Sequence, residues 1–214
     1  MRRLIHLMLS PSCRLARLVV AEKRVPCDAV QAEDARNPMP VFIDLDGTRV
    51  EGVWAIIDHL EASYPDHPLV PDDAAERRES LRWLDWALSA FHEQVTQRIA
   101  YEKGGQRYTG APQRRAPDMN LIRAGREELK VALPAIGRAT ESNGNLAGRA
   151  PSLGDFGVAA QLSVLDYLGE VPWSDFPAAA EWYVRMKSRP SFRSLLGDRV
   201  PGQPPATYYA DLDF

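Results

Sequence analysis

Three residues near the start of the chain are suited to thiol chemistry. Ser10, Ser12 and Cys13 lie at the predicted beginning of a helix. A helix N-terminus lowers the pKa of a thiol, and a serine hydroxyl can hold a thiolate by a hydrogen bond, so each is a candidate catalytic residue. The alternative is that the serines cap the helix and that Cys13 is a small buried residue.

A second candidate site lies where Pro40 enters a predicted strand. The Met39-Pro40 bond is of the one type that adopts the cis form at low cost, and such a bend exposes the backbone of Met39. A helix predicted to begin near Gly52 faces this bend, and helix N-termini bind anions. The pattern predicts a site for an anionic or peptide-like ligand, with a structural turn as the alternative.

A β-hairpin and a helix are predicted to position this second site. Two β-type runs, Val41 to Asp44 and Thr48 to Val50, flank Asp46-Gly47, a dipeptide typical of tight hairpin turns. Apolar residues then recur at steps of three and four, which predicts a helix that packs on the hairpin. They are Val53, Ile56, Ile57, Leu60 and Tyr64.

A β-α-β unit is predicted before the hairpin. It consists of a strand at 3–9, a helix with Ser12 as its N-cap that runs to Lys23, and a strand at 27–31. Together with the hairpin and its helix, this order is that of a thioredoxin-like domain, predicted over residues 1–65.

The second half of the chain is predicted to be an all-α domain over residues 74–199. A linker at 66–73 precedes it. Apolar residues at helical spacing mark long helices at 81–95 and 121–136, with a Gly/Pro/Arg loop at 104–117 between them. The fold class is therefore α/β plus all-α.

Ser152 and Asp155 have the spacing of a capping box, in which a serine and an acid cover the free amides of a helix start. The helix that follows, at 156–168, is apolar nearly all round, which predicts a central buried helix. Pro177 and Pro190 each suit the first position of a further helix, because the missing amide costs nothing there.

Composition limits the function classes. The 214 residues are 45% apolar and 26% charged, and the net charge of −3 argues against general binding of nucleic acids. The apolar run at the N-terminus stops at Ser10, too early for a signal peptide or a membrane span, so we expect a cytoplasmic protein without membrane insertion. Cys13 and Cys27 and the four scattered histidines have no metal-ligand spacing, so no metal is expected.

Residues 98–126 form a basic stretch, with seven basic side chains against two acidic ones. The guanidinium fork of arginine suits carboxylates, so Arg114 and Arg115 are candidates for binding an acidic protein surface. The alternatives are a solvated face or an anionic small molecule, because the loop borders the expected cleft.

The residues around the second site resemble the glutathione-binding half of the cytosolic glutathione transferases. The shared order is Pro40-Val41, Asp46-Gly47, Ala55-Ile56 and Tyr64-Pro65, and the Ser-Leu-x-Asp-Phe cap at Ser152 extends the resemblance to the helical half. The resemblance implies a thioredoxin-like domain joined to a helical domain, glutathione as the ligand, and a homodimer with the 81–95 helix as its contact.

The sequence departs from this family at the residues that hold the γ-glutamyl end of glutathione. Gly52 and Val53 stand where the family commonly has Glu and Ser. A lost hydrogen bond to a charged group costs about 1.5–3 kcal/mol, roughly tenfold to a hundredfold in affinity. We therefore expect a vestigial site at Met39, Pro40, Gly52 and Val53 with no catalysis, unless Glu51 takes the ligand's place through a register shift of one.

Residues 200–214 form a tail without periodicity, which ends in alternating acidic and large apolar residues. These last four are Asp211, Leu212, Asp213 and Phe214. With Arg199-Val200-Pro201-Gly202 before it, this ending resembles the tail of glutathione-transferase-like division proteins that bind FtsZ, the bacterial tubulin homologue. The resemblance implies a non-catalytic FtsZ-binding protein, placed at the division site. The alternatives are an active glutathione transferase or an adaptor for another partner, with the terminal phenylalanine docked on its own domain or on another protein.

Overall fold

The computed structural model describes residues 1–33, 38–112 and 116–212. Four of the candidate partner-binding residues therefore lie outside the described residues. They are Arg114, Arg115, Asp213 and Phe214.

The first half of the chain contains four strands and two helices. In order they are β1 Arg3–His6, α1 Pro11–Glu22, β2 Asp28–Gln31, β3 Val41–Ile43, β4 Arg49–Glu51 and α2 Val53–Ser63. The strands form one sheet in the order β2-β1-β3-β4, with β2 parallel to β1 and the other pairs antiparallel. The predicted thioredoxin-like arrangement is confirmed.

The hairpin predicted around Asp46-Gly47 is also confirmed. Val41 pairs with Glu51 across the antiparallel strands β3 and β4. The Asp46 carboxylate accepts a hydrogen bond of 2.9 Å from the amide of Thr48. Gly47 has φ +88°, a left-handed conformation that glycine adopts without steric cost.

The second half contains seven helices among the described residues. They are α3 Ala74–Leu88, α4 Gln97–Lys103, α5 Gln106–Thr109, α6 Met119–Thr140, α7 Leu153–Tyr167, α8 Pro177–Lys187 and α9 Arg193–Leu196. Every residue of α7 is buried, so the predicted central helix is confirmed. The α1 helix of the first half packs on α7, while the division into domains at residues 65 and 74 stays a prediction.

The long helix predicted over 81–95 is not continuous. It ends at Leu88, where Ser89 has φ −112° and ψ −94°, and resumes as a single π turn at His92–Thr96 that leads into α4. The Ser89 hydroxyl donates back to the carbonyl of Asp85 at 2.6 Å, a local bond that competes with the helical ladder. The loop predicted over 104–117 contains the short helix α5. The glycines on both sides of this helix favour a loop prediction.

The start of α1 differs from the expectation by two residues. Ser10, not Ser12, is the N-cap residue, and its side chain forms no capping hydrogen bond. Pro11 occupies the first helical position, where its fixed φ and missing amide are both favourable. The proline therefore sets the helix start.

The capping box at the start of α7 is present. The Asp155 carboxylate accepts hydrogen bonds from the amides of Ser152 at 3.0 Å and Leu146 at 2.9 Å, and from the indole of Trp182 at 3.1 Å. Burial raises the pKa of Asp155. The carboxylate ties the preceding loop and α8 to the central helix.

The tail is anchored to both halves of the molecule by Arg14, whose side chain is fully buried. The Arg14 guanidinium donates to the carbonyl of Ser163 in α7 at 2.8 Å, to the hydroxyl of Tyr209 at 3.0 Å and to the carboxylate of Asp198 at 3.3 Å. Tyr209 is also fully buried, and its hydroxyl donates to the carbonyl of Leu195. Residues 198–209 thus belong to the folded body.

Arg17 completes this buried cluster. Its two terminal nitrogens donate to the two oxygens of Asp198 at 2.8 and 3.0 Å, the bidentate geometry that arginine forms with carboxylates. Asp198 therefore faces two arginines from α1.

Candidate functional site

The structure brings together the four residues of the predicted glutathione site. The Met39-Pro40 peptide bond is cis. The amide of Gly52 donates to the carbonyl of Pro40 at 2.8 Å, so α2, which starts at Val53, begins directly beside this bend.

The side chains at this site offer no hydrogen bond to the γ-glutamyl end of glutathione. Gly52 has φ +86° and open space around it, and no side chain caps α2. Val53 is 8% exposed and packs into the apolar core. Glu51 lies in β4 opposite Val41, and its carboxylate pairs with Arg49 at 2.8 Å, so its role as a substitute ligand stays a prediction.

The thiol end of the site is buried. Cys13 has no exposed surface, and it packs with Leu7, Ala32 and Met39. Burial raises the pKa of the Cys13 thiol to about 11 and outweighs hydrogen bonds from Ser10 and Leu7 that act in the opposite sense. The raised pKa fits the alternative of a small buried cysteine better than a thiol activated by the helix N-terminus.

The two candidate serines, Ser10 and Ser12, are half-buried at the start of α1. The segment that contains α5 packs on the loop before them. The amide of Leu9 donates to the carbonyl of Tyr108 at 2.8 Å, and Gly110 lies against Leu7. The same segment lines a pocket to which neither serine contributes.

That pocket has a volume of about 800 Å³. Its walls come from the π turn and α4, the segment 104–112, the start of α6 and residues 200–203 at the base of the tail. No residue of the predicted glutathione site lines it.

Arg98 is the cation of this pocket with no bound partner. It forms no hydrogen bond or ion pair with any residue of the described ranges, whereas Lys103 pairs with the buried Glu170, which also accepts from Arg126 at 2.6 Å. The Glu102 carboxylate accepts the amide of Asp118 at 2.8 Å. The charged groups of the pocket that are not neutralised by an ion pair within the described ranges are therefore the Arg98 guanidinium and the exposed Glu93 carboxylate, while the Glu102 carboxylate keeps its charge beside the Asp118 amide.

A second, smaller hollow of about 270 Å³ lies between α3, the π turn and α6. Its walls are largely apolar, with Trp86, Phe91 and Val95 on one side and Val131 and Ala135 on the other. Val131 is 71% exposed, which is unusual for a branched apolar side chain.

Neither a metal centre nor a membrane span emerges from the described parts of the chain. No three side chains of the His, Cys, Asp and Glu types come together there as a metal-binding group. No helix within those ranges is long and apolar enough to cross a membrane.

Arg98 is recognisable from the sequence as part of a basic stretch but not as a pocket residue. The available signal was spacing: Gln97, Arg98 and Tyr101 fall on one side of a helix, followed by two glycines at which the chain turns back. No local sequence pattern indicates that residues 200–203 line the same pocket.

The chain is similar over its full length to a curated protein and to solved structures. FtsZ-localized protein A of Caulobacter vibrioides is 40% identical over an alignment of 228 residues, which covers 100% of this chain and 98% of that protein. No protein-family model matches the chain.

Two solved structures have the same fold as this chain over its full length. A glutathione S-transferase from Rhodospirillum rubrum F11 has a TM-score of 0.93 and 39% identity, with 100% of both chains covered. FzlA from C. crescentus has a TM-score of 0.91 and 39% identity, with 100% of this chain and 99% of that chain covered.

Proposed function

This chain belongs to the family of FtsZ-localized protein A, within the glutathione S-transferase superfamily, and from that premise we propose that it binds FtsZ and acts in bacterial cell division. The observation that carries the proposal is the 40% identity to FtsZ-localized protein A over the full length of this chain. We place the protein in the cytoplasm, at the division site.

The proposal includes that glutathione is not a working ligand. The γ-glutamyl group carries a carboxylate and an ammonium group, and a site that grips it needs polar side chains near Gly52 and Val53. Glycine and a core valine supply none, and the Cys13 thiol is fully buried. The cis bond at Pro40 and the open start of α2 remain as the vestige of such a site.

Two surfaces are proposed for the partner. One is the basic stretch 98–126, which includes Arg114 and Arg115. The other is the end of the tail, where Asp211 and Leu212 are exposed immediately after the buried Tyr209. Because Tyr209 already fixes the chain, Asp211 and Leu212 lose little conformational entropy when they bind a partner. This suits the end of the tail to a role as a docking segment.

We further propose that the protein is a homodimer that joins through the hollow between α3 and α6. Burial of its apolar walls, which include the half-buried Trp86 and the exposed Val131, contributes about 25 cal/mol per Å² of area removed from water. A dimer presents two partner sites on one particle, which raises avidity for a filament without any new contact.

The alternative function is that of a glutathione transferase. The observation that favours it is the 39% identity to the protein described as a glutathione S-transferase from Rhodospirillum rubrum. In that case Ser10 or Ser12 would hold the thiolate, because both are half-buried whereas Cys13 is inaccessible.

A paired binding experiment separates the two functions. We expect the purified protein to pellet with FtsZ filaments formed with GTP, and to show no heat of binding when glutathione is titrated into it from the micromolar to the low millimolar range. The physical reason is the absence of a side-chain ligand at Gly52 and Val53.

The control for the pelleting arm is FtsZ with GDP, which leaves filaments unformed. A clear glutathione isotherm together with no pelleting would contradict the proposal and favour the transferase.

The proposed dimer has its own test. We expect Val131→Glu to convert the dimer to a monomer in sedimentation velocity, because its carboxylate would be desolvated against Trp86 and Val95, and Arg82 of the same hollow is already paired with Glu79. The change of Val30→Glu is the matched control, since Val30 is also exposed, on the edge strand β2. A monomeric wild type, or a Val131→Glu dimer of unchanged stability, would rule out this interface.

A further inference from the structure

The hollow between α3 and α6 has the size and the chemistry to receive one aromatic side chain. Its volume of about 270 Å³ is below the roughly 300–1,000 Å³ of small-molecule sites. Its walls are largely apolar, and they include Trp86, Phe91 and Val95. Gln94 and Glu128 also line it, and their side-chain oxygens are hydrogen-bond acceptors. Such a hollow suits an indole, which combines a large apolar ring with a single N–H donor.

The chain itself carries an exposed indole. Trp54 is 43% exposed in the first turn of α2, whereas the other four tryptophans are buried or half-buried. Its N–H forms no hydrogen bond with the described residues. Tryptophan is enriched among the residues that dominate the binding energy of interfaces, and its N–H usually finds an acceptor when it is buried. Trp54 therefore has the exposure and the open donor expected of a residue that is covered in an assembly.

The exposed indole and the hollow can be paired reciprocally by a two-fold axis. Trp54 does not line the hollow of its own chain. In a two-fold dimer, however, both chains offer the same two surfaces, so each indole can enter the hollow of the other chain. One indole buries about 150–250 Å², while a stable interface removes about 1,200–2,000 Å² from water in total. The two indoles would therefore anchor the interface, and the flanking faces of α2 and α3 would supply the rest of its area.

The charges beside the two surfaces are complementary. Asp58 is exposed one turn after Trp54, on the same face of α2. Arg78 is exposed on α3, one turn before Arg82, which lines the hollow. Neither Asp58 nor Arg78 forms a salt bridge within the described ranges, whereas Arg82 is already paired with Glu79. A carboxylate and a guanidinium, each one turn from its apolar contact, can therefore meet when the indole enters the hollow.

Asp85 indicates the direction in which α2 crosses the hollow. It is exposed on the same face of α3, two turns after Arg78. A carboxylate from α2 placed beside Asp85 would meet a like charge, so the attraction favours the Arg78 end.

We infer that Trp54 of a second copy of this chain fills the hollow, and that Asp58 of the same copy lies beside Arg78. The inference rests on the proposed dimer and identifies the element that joins it, because α2 of each chain then packs on α3 and α6 of the other. The interface is a pair of identical contacts between two different surfaces, and not a contact of one hollow with the other.

The charged pair is tested by reversing its members. Asp58→Arg places like charges at both contacts of the dimer, so we expect the Kd of dimerisation to rise about threefold to tenfold. The addition of Arg78→Asp restores opposite charges and should return the Kd to within about twofold of the wild type. An unchanged Kd for Asp58→Arg would overturn the placement of Asp58.

The reciprocal contact is tested by sedimentation velocity of two variants, alone and mixed. Trp54→Glu changes an exposed side chain, so we expect it to melt within about 2 °C of the wild type and to sediment as a monomer, like Val131→Glu. An equimolar mixture of the two variants should regain a dimer. In that dimer the intact Trp54 of one chain meets the intact hollow of the other, so one of the two contacts survives.

Leu45→Glu is the matched control. Leu45 is 63% exposed in the hairpin turn of the same half of the chain, and we expect this variant to stay a dimer. A dimeric Trp54→Glu protein beside a monomeric Val131→Glu protein, or a mixture that stays monomeric, would overturn the role of Trp54 while leaving the hollow as the interface. A monomeric wild type would overturn the proposed dimer itself.

Discussion

Asp198→Asn is expected to lower the melting temperature by about 6–20 °C. The substitution removes the carboxylate that faces Arg14 and Arg17, both of which are buried. Removing one partner of a buried ion pair costs about 3–5 kcal/mol, because the remaining charge stays desolvated, and each kcal/mol shifts the melting temperature by roughly 2–4 °C at this chain length. Calorimetry or circular dichroism measures the effect.

Asp72→Asn is the control for this experiment. Asp72 is exposed in the linker, and its side chain has no hydrogen-bond partner in the described structure. Such a surface change is expected to shift the melting temperature by about 2 °C at most. A shift equally small for Asp198→Asn would mean that the arginine cluster does not hold the tail to the body.

Deleting residues 211–214 is expected to weaken FtsZ co-sedimentation about tenfold to a hundredfold. The deletion removes two acidic and two large apolar residues, and the burial of one phenylalanine side chain against a partner is worth about 1.5–3 kcal/mol. The buried anchor at Tyr209 stays in place.

A paired substitution separates lost contact from altered folding. Asp211→Asn combined with Leu212→Ser keeps the chain at full length and changes only exposed side chains. We expect this variant to melt within about 2 °C of the wild type and to bind FtsZ more weakly. Normal pelleting of the truncated protein would contradict a partner-binding role for the tail.

The fold was largely predictable from the sequence because its strongest signals are local. The Asp46-Gly47 turn, the Val53 to Leu60 stripe and the capping box at Ser152 each act within a few residues, and the structure has all three elements. The family resemblance read from these residues is confirmed by the full-length relatives. The absence of polar γ-glutamyl ligands at Gly52 and Val53 is a prediction from residue identity that the glutathione titration tests.

What the sequence did not reveal depends on contacts between distant segments. Arg14 and Arg17 lie one turn apart on a helix that is otherwise apolar toward the core, yet nothing local identifies Asp198 as their partner. The pKa of Cys13 likewise depends on its burial, which opposes the helix N-terminus and prevails. The break at Ser89 lies inside a regular apolar pattern, so periodicity alone predicted one helix.

Arg14 also donates to the carbonyl of Met8 at 2.7 Å, in the loop that leads to the candidate thiol residues Ser10, Ser12 and Cys13. The same side chain holds the tail through Tyr209 and the central helix through Ser163. If a partner binds at Leu212 as proposed, a force on that residue reaches the buried Tyr209 three residues earlier in the chain, and passes through Arg14 into both halves of the body. Under the proposed function, Asp211 and Leu212 are therefore a short extension of a fixed anchor, and we expect a partner bound at Leu212 to be restricted in its orientation relative to the protein.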